Sequence, residues 1–395
     1  MSWPVKQLGD VLQRTESVDP RSLGKSKFCY IDVSSVSNET LSIEEVQTLA
    51  VSDAPSRARR FVRNGDVLFA TIRPTLRRIA IVPEDLDKEI CSTGYLVLRP
   101  RPELSNRFVF YFLQSQKFMA AMEELQKGAS YPAVTDAEVR MQRLPIPPLA
   151  EQHRIVAILD EAFAGIATAK ANVEKSLCDA REVSESISEQ VLDSGGGDEL
   201  PLESVAADDC SLSYGIVQPG NDLEGGLPVV RPVDLTRDVI TLDGLKRIDP
   251  ELALGYQRTK LQGGELLLCV RGTTGTVSIA APELEGANVT RGIVPIRFNP
   301  EQVTSPFGYH LMKSAAVQSQ IRENTYGTAL MQINIGDLRN IKVKIPPLSQ
   351  QNEIAKRLDT LREEAAHIQS LYTRKLAALD QLKQSLLQRA FSGQL

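Results

Sequence analysis

Histidine is scarce in this 395-residue chain, with only His153, His310 and His367. Three widely separated imidazoles, with carboxylates that do not cluster, leave little for a histidine metal centre or acid–base catalysis. The five cysteines (Cys29, Cys91, Cys178, Cys210, Cys269) include no C-x-x-C pair. They read as reduced thiols, neither a disulfide framework nor zinc ligands. No apolar run approaches the roughly 18 residues of a membrane span, and Met1-Ser-Trp-Pro-Val-Lys6 lacks the basic-then-apolar layout of a signal peptide. The expectation is a soluble cytoplasmic protein. Gly-x-Gly-x-x-Gly after a strand, a Walker loop, His-Glu-x-x-His and Gly-x-Ser-x-Gly are all missing. An Asn-Pro-Pro-Tyr-like sequence of amino-methyltransferases is missing too, since both Pro-Pro pairs follow isoleucine. The economical reading is a chain with no catalytic residues, no metal ligands and no bound cofactor.

Excess positive charge is also lacking: the net charge is −5. Its distribution says more than its sum. Residues 1–146 carry 20 basic and 18 acidic groups, and residues 200–345 carry 14 and 16. Residues 147–199 carry 4 and 11, against 7 and 5 in 346–395. Most of the negative charge therefore lies in one segment, and the average does not exclude a nucleic-acid partner for the other surfaces.

What the chain does have is a repeat at an offset of 199 residues. Ile146-Pro147-Pro148-Leu149 returns as Ile345-Pro346-Pro347-Leu348, and Gln152, Ile155, Leu159 and Asp160 return as Gln351, Ile354, Leu358 and Asp359. The same offset joins Gly65 to Gly264, Gly128 to Gly327 and Arg140 to Arg339. Matches spread this widely mean two copies of one large unit, and a pseudo-dimer in one chain predicts a pseudo-twofold axis with two similar working surfaces.

Each copy has two parts. Residues 1–146 and 200–345 hold short strand-like runs (Asp66–Ile72, Tyr95–Leu98, Glu265–Val270, Ile293–Ile296), then a helical stretch near Phe108–Leu125 or Phe307–Asn324. This predicts an α+β domain with a β-rich core. Each Pro-Pro pair stops that domain and starts a long helix, over 147–193 and 346–395. Apolar residues recur at Ile155, Leu159, Ile166, Val173, Val183 and Ile187 in the first helix. In the second they fall at Ile354, Leu358, Leu361, Ile368, Tyr372, Leu379, Leu382 and Leu386. Alternating spacings of four and three make a narrow coiled-coil seam, and opposite net charges favour pairing of the two helices. About 40 residues at 1.5 Å each make a rod of roughly 60 Å. The bland alternative is that each helix packs on its own domain. Residues 194–199, rich in glycine, read as a joint.

Candidate binding residues lie in loops. Arg57, Arg59, Arg60, Arg63, Arg73, Arg77 and Arg78, with Thr75 among them, suit phosphate contact and bidentate reading of guanine. A solvated face, ion-paired to Asp53, Asp66, Glu84 and Asp85, is the equal alternative. The second copy has Arg258, Lys260 and Arg271, then a Gly/Thr turn with Thr273, Thr274 and Thr276 whose amides and hydroxyls suit phosphate. Further loops carry Lys127, Ser130 and Tyr131 in one copy and Tyr326, Thr328 and Gln332 in the other. Such groups beside a Gly turn can bond or stack on bases, though both tyrosines can equally cap the core.

Gly65–Pro74, Ser92–Pro100 and Leu144–Ile155 closely resemble the DNA-specificity subunits of type I restriction–modification enzymes. Tyr214–Pro219, Gly264–Leu268, Met331–Leu338 and Ile345–Gln351 carry the likeness into the second copy. The resemblance implies two target-recognition domains, one per half of a split DNA sequence, separated by an antiparallel coiled coil acting as a ruler. It also implies two docked methyltransferase subunits, which use S-adenosylmethionine, and room for two motor-nuclease subunits. The competing reading is a coiled-coil scaffold joining two protein-binding domains without DNA specificity.

Overall fold

The computed structural model describes residues 3–128, 130–327 and 331–395. The chain forms two units, Met1–Glu174 with Thr373–Leu395, and Lys175–Tyr372. Each unit holds one globular domain and a part of both long helices, so its makeup cuts across the sequence boundaries.

In the first unit the apolar run Val67–Ala70 is buried throughout and lies between Ile79–Ile81 and Tyr95–Leu98 in an antiparallel sheet. A second sheet has the order Gln47–Ala50, Lys27–Ile31, Ile90–Ser92, Ala58–Phe61. Helices α1 (Asn106–Gln114) and α2 (Gln116–Leu125) close over the first sheet, with Phe69, Phe108, Phe112 and Phe118 in one core. The sequence predicts one helix here; the structure has two. Ser115 accounts for the break, its hydroxyl accepting the Phe118 N–H at 3.3 Å as an N-cap. A short α3 (Asp136–Arg140) follows, then Arg143–Pro145 pairs with Val5–Gln7 before α4 (Leu149–Ser194) begins.

The second unit repeats this plan. Leu266–Cys269 is flanked by Val277–Ala280 and Ile293–Ile296, and α5 (Ser305–Lys313) and α6 (Ala315–Glu323) are divided by the capping Ser314. After α7 (Ile335–Asn340), Lys342–Ile345 pairs with Asp198–Pro201 and α8 (Leu348–Ser392) starts.

The junction of domain and helix is made by a fully buried glutamine in each unit. Gln152 accepts the Ser105 N–H at 2.8 Å and donates to the carbonyls of Glu103 (3.0 Å) and Pro147 (2.9 Å). Gln351 does the same with Thr304 (2.7 Å), Gln302 (2.7 Å) and Pro346 (2.9 Å). Every partner is displaced by 199 residues. Eight residues further along, Asp160 accepts from Tyr111 and Arg107, while Asp359 meets His310 at 3.0 Å.

The helices pack on their domains as well as on each other. In the first unit Ile155 and Leu159 of α4 share the domain core with Leu387 and Ala390 of α8, so the start of one helix lies beside the end of the other. In the second, Ile354 and Leu358 share a core with Val191. Ile166 and Val173 are also buried, and Leu361, Tyr372, Leu379 and Leu386 are partly buried. Val183, Ile187, Ile368 and Leu382 depart from the expected seam and are exposed. Near the helix ends the domain cores, not a partner helix alone, decide what is covered, which brings in Val191, Leu387 and Ala390. The helix charges also mislead locally. Lys170 of acidic α4 pairs with Asp380 of basic α8. Among the described residues, no helix is long and apolar enough to cross a membrane.

Truncating Gln152 or Gln351 to alanine strands a buried N–H and two carbonyls, which costs about 1–3 kcal/mol for a buried group left unsatisfied. We expect a lower urea midpoint and faster amide exchange at Ser105 for the first variant and at Thr304 for the second.

Candidate nucleic-acid interface

Each unit carries an arch made of two loops that share a backbone frame. In the first, Arg73 and Arg77 sit at φ 50° and 55°, on either side of the turn Pro74–Leu76 that exposes Thr75. Left-handed backbone is unusual for non-glycine residues, and strain of this kind concentrates at functional sites. The Arg73 N–H donates to the Pro132 carbonyl at 2.6 Å, and the Val134 N–H to Thr71 at 2.9 Å. The Arg73 guanidinium lies 5.2 Å from the centroid of the Tyr131 ring and reaches the Ser130 carbonyl at 3.4 Å. Tyr131 is 73% exposed, so it does not cap the core. Lys127 brackets the second loop through two backbone bonds with Ala133 at 2.9 Å, and its ammonium lies 3.4 Å from Glu138. The fold therefore gathers Arg73, Thr75, Arg77, Lys127, Ser130 and Tyr131.

The other arginines of the cluster divide. Arg60 bonds Asp136 at 2.7 Å, Arg63 bonds Glu16 at 2.8 Å, and Arg59 lies 3.6 Å from Asp19. Arg78 donates to the carbonyls of Val33, Ser34 and Val36, a structural clip. These partners differ from the expected acids. Asp66 is instead held by Arg99, which the sequence reading passed over, through two bonds of 2.8 Å. The hydrogen bonds to Asp66, followed by those to Glu16, raise the Arg99 pKa, although burial of the guanidinium acts to lower it. Arg57 and Arg77 are exposed and make no ion pair among the described residues.

The second unit reproduces the frame with other side chains. The Gly272 N–H donates to Met331 at 2.8 Å and the Ile333 N–H to Val270 at 3.1 Å, again 199 residues on. Gly272, at φ 94°, occupies the Arg73 position. The expected hydroxyls have partners within the loop: Thr274 bonds the Met331 carbonyl at 3.1 Å and Thr276 the Thr273 carbonyl at 2.9 Å, while Thr273, itself exposed, lies 3.5 Å from Cys269 Sγ. Gln332 donates to the Tyr326 hydroxyl at 3.0 Å. Arg258 and Lys260 are exposed on a different turn, either side of buried Thr259. Thr328 lies outside the described residues.

Sequence reasoning missed two further features of this unit. Arg231 and Arg291 line one cleft with Arg271 although 60 residues separate them, so no local cluster could signal them. Asp238 also accepts from Tyr309 (2.6 Å), Lys313 (3.1 Å) and Arg362 of α8 (2.9 Å), tying the long helix to a domain loop. The Tyr309 hydrogen bond, helped by both cations, holds that carboxyl below its usual range.

Two like frames bearing unlike side chains, each anchored to paired helices, define a tandem two-domain binding protein. Residues 2–176 and 221–372 match the family described as the type I restriction modification DNA specificity domain, and the chain belongs to that family. The specificity subunit of the type I restriction enzyme EcoBI from Escherichia coli is 26% identical over 317 residues, 74% of this chain and 66% of that protein. The aligned part is thus just under two thirds of that relative. The EcoKI specificity subunit of E. coli strain K12 is 25% identical over 331 residues, 77% of this chain and 69% of that protein. The HsdS subunit from Thermoanaerobacter tengcongensis superposes with a TM-score of 0.65 at 27% identity, covering 100% of this chain and 97% of that one. A chain from a structural study of complex assembly and conformational transition in the type I R-M system reaches 0.81 at 27% identity, covering 100% and 98%.

The arch can be separated from its side chain. Glycine at position 73 removes left-handed strain of about 1–2 kcal/mol but loosens the unfolded chain by about 0.4–1 kcal/mol, and it forfeits a cation–π contact of about 0.5–1 kcal/mol. Arg73→Gly is therefore expected to change stability by less than about 1 kcal/mol in chemical denaturation, leaving an arch like that around Gly272.

Proposed function

We propose that this chain is the non-catalytic sequence-reading subunit of a type I restriction–modification complex, with each recognition domain binding one half of a split double-stranded DNA target. The observation that carries this reading is the arch: identical backbone hydrogen bonds at residues 73 and 272 present an arginine in one unit and a glycine in the other. One frame with different contents suits two domains that read different base sequences, because base edges and not phosphates carry sequence information. In this reading Arg73, Arg77 and Tyr131 form the reading edge of the first domain, with Arg57 and Lys127 toward the phosphates. Two methyltransferase subunits dock on the chain and transfer a methyl group from their own S-adenosylmethionine to adenine, in the cytoplasm, with or without two motor-nuclease subunits. The paired helices set the gap between half-sites.

Co-expression with a cognate methyltransferase subunit in an unmethylated host, followed by genome-wide mapping of adenine methylation, tests the proposal. One split motif is expected, and it disappears when this chain is omitted. A stable complex that leaves no new methylation, or methylates without sequence preference, counts against it and for a scaffold.

Arg73→Ala or Arg77→Ala is expected to weaken recognition at one half-site by roughly 1–3 kcal/mol if the side chain touches a base. Binding to duplexes altered one pair at a time reads this out, and an equal loss on every sequence marks a phosphate anchor instead.

Inserting one heptad into both helices adds about 10 Å of helix, which is roughly 3 base pairs of duplex. The methylated motif should then carry a longer gap, and an unchanged gap refutes the spacer role.

A further inference from the structure

Arg231, Arg271 and Arg291 line an open cleft of about 620 Å³ in the second unit. Its walls include Pro232 and the exposed Val217 and Val233. The cleft depends on Gly292, where an added Cβ would lie 2.4 Å from Pro232 Cγ.

The three guanidiniums are not equivalent. Arg231 is neutralised by Asp234, through bonds of 3.1 and 2.9 Å from Nε and Nη2. Arg291 is exposed at the rim and makes no ion pair among the described residues. Arg271 has its backbone pinned: the preceding N–H bonds Gly292 at 2.8 Å, the following one bonds Met331 at 2.8 Å, and Arg271 itself bridges to Gln332. Its Nε is shielded from solvent and has no hydrogen-bond partner among the described residues. The first unit has Ile72 at the corresponding place.

Arg271 is half-buried on a fixed backbone and its side chain makes no hydrogen bond or ion pair among the described residues, so its guanidinium is free to meet an outside acceptor. A guanidinium fork matches paired acceptors, either guanine N7 and O6 or two phosphate oxygens. The apolar walls decide between them, since they suit a base edge or a thymine methyl and offer a phosphate nothing. The exposed rim position of Arg291 suits a phosphate.

We propose that Arg271 is a specificity-determining residue that reads a guanine in the half-site of the second domain, with Arg291 holding a neighbouring phosphate. This assignment rests on the DNA-specificity reading. It is tested in the complex with the methyltransferase subunits, by measuring binding and methylation of duplexes that vary each base pair of the target. Arg271→Ala is expected to lose roughly 10- to 100-fold of discrimination at a single G·C pair of one half-site, with the other half-site read as before. Arg291→Ala is expected to weaken all duplexes alike and to lower the salt dependence.

Arg271→Gln keeps a hydrogen-bonding stem and serves if the alanine variant does not assemble; it should move the preference at that pair from guanine toward adenine. A uniform loss with Arg271→Ala, or unchanged discrimination while the wild type discriminates, overturns the assignment alone. A wild-type complex without any sequence preference overturns the underlying reading as well.

Discussion

The buried side-chain amide of Gln152, and its counterpart Gln351, is the constraint on which each unit depends. A domain that ends in Ile-Pro-Pro must pass from strand to helix where two carbonyls and an N–H are shut away from water, and the prolines cannot donate. One glutamine supplies the acceptor and both donors, with three bonds between 2.7 and 3.0 Å in each unit. Because the amide is used on both its oxygen and its nitrogen, the first turns of the helix have little freedom to rotate about their axis. That setting presents Ile155 and Leu159, or Ile354 and Leu358, to the domain core. It also brings Asp160 to Tyr111 and Asp359 to His310, where the pairing survives a change of residue.

From that fixed base the arches diverge in content and not in frame. Backbone hydrogen bonds do not read side-chain identity, so the bonds from residues 73 and 272 persist while the side chain changes from arginine to none. Position 73 asks for φ near 50°, which arginine adopts under strain and glycine adopts freely at 94°. The cation is displaced rather than deleted: in the second unit it stands one residue earlier, at Arg271, and leans into a cleft instead of crossing Tyr131.

The framework was legible because it is periodic and local. Strand runs such as Tyr95–Leu98 appear as continuous apolar stretches, and the Pro-Pro pairs mark the helix starts. The breaks at Ser115 and Ser314 were hidden because a serine inside an amphipathic pattern scores as a tolerated helical residue until its hydroxyl is seen capping. The helix seam was only partly legible: a heptad pattern reports a partner helix, whereas Leu387 and Ala390 are buried by the domain around Phe108. The interface was the least legible. Arginine density near Arg60 and Arg78 did not distinguish groups occupied by Asp136 or backbone carbonyls from those left open, and the cleft arginines are distant in sequence.

That division of the arginines bears on how a chain of net charge −5 could read DNA. Arg60, Arg63 and Arg99 are matched by carboxylates and Arg78 by carbonyls, so their charges are largely compensated within the fold. Near the candidate loops, the cations without an ion pair among the described residues include Arg57, Arg73 and Arg77 in one unit and Arg258, Lys260, Arg271 and Arg291 in the other. Each phosphate neutralised adds about 0.9 to the salt slope of binding, so cations already matched within the fold contribute less to a uniform hold than a count of basic residues suggests. Phosphate contacts stabilise every sequence alike, whereas each wrong base pair costs roughly 1–3 kcal/mol only where a side chain meets a base edge. In the proposed reading, arginines matched within the fold add little to that uniform hold, and the ones left open at a strained arch and an apolar cleft are where differences between sequences arise.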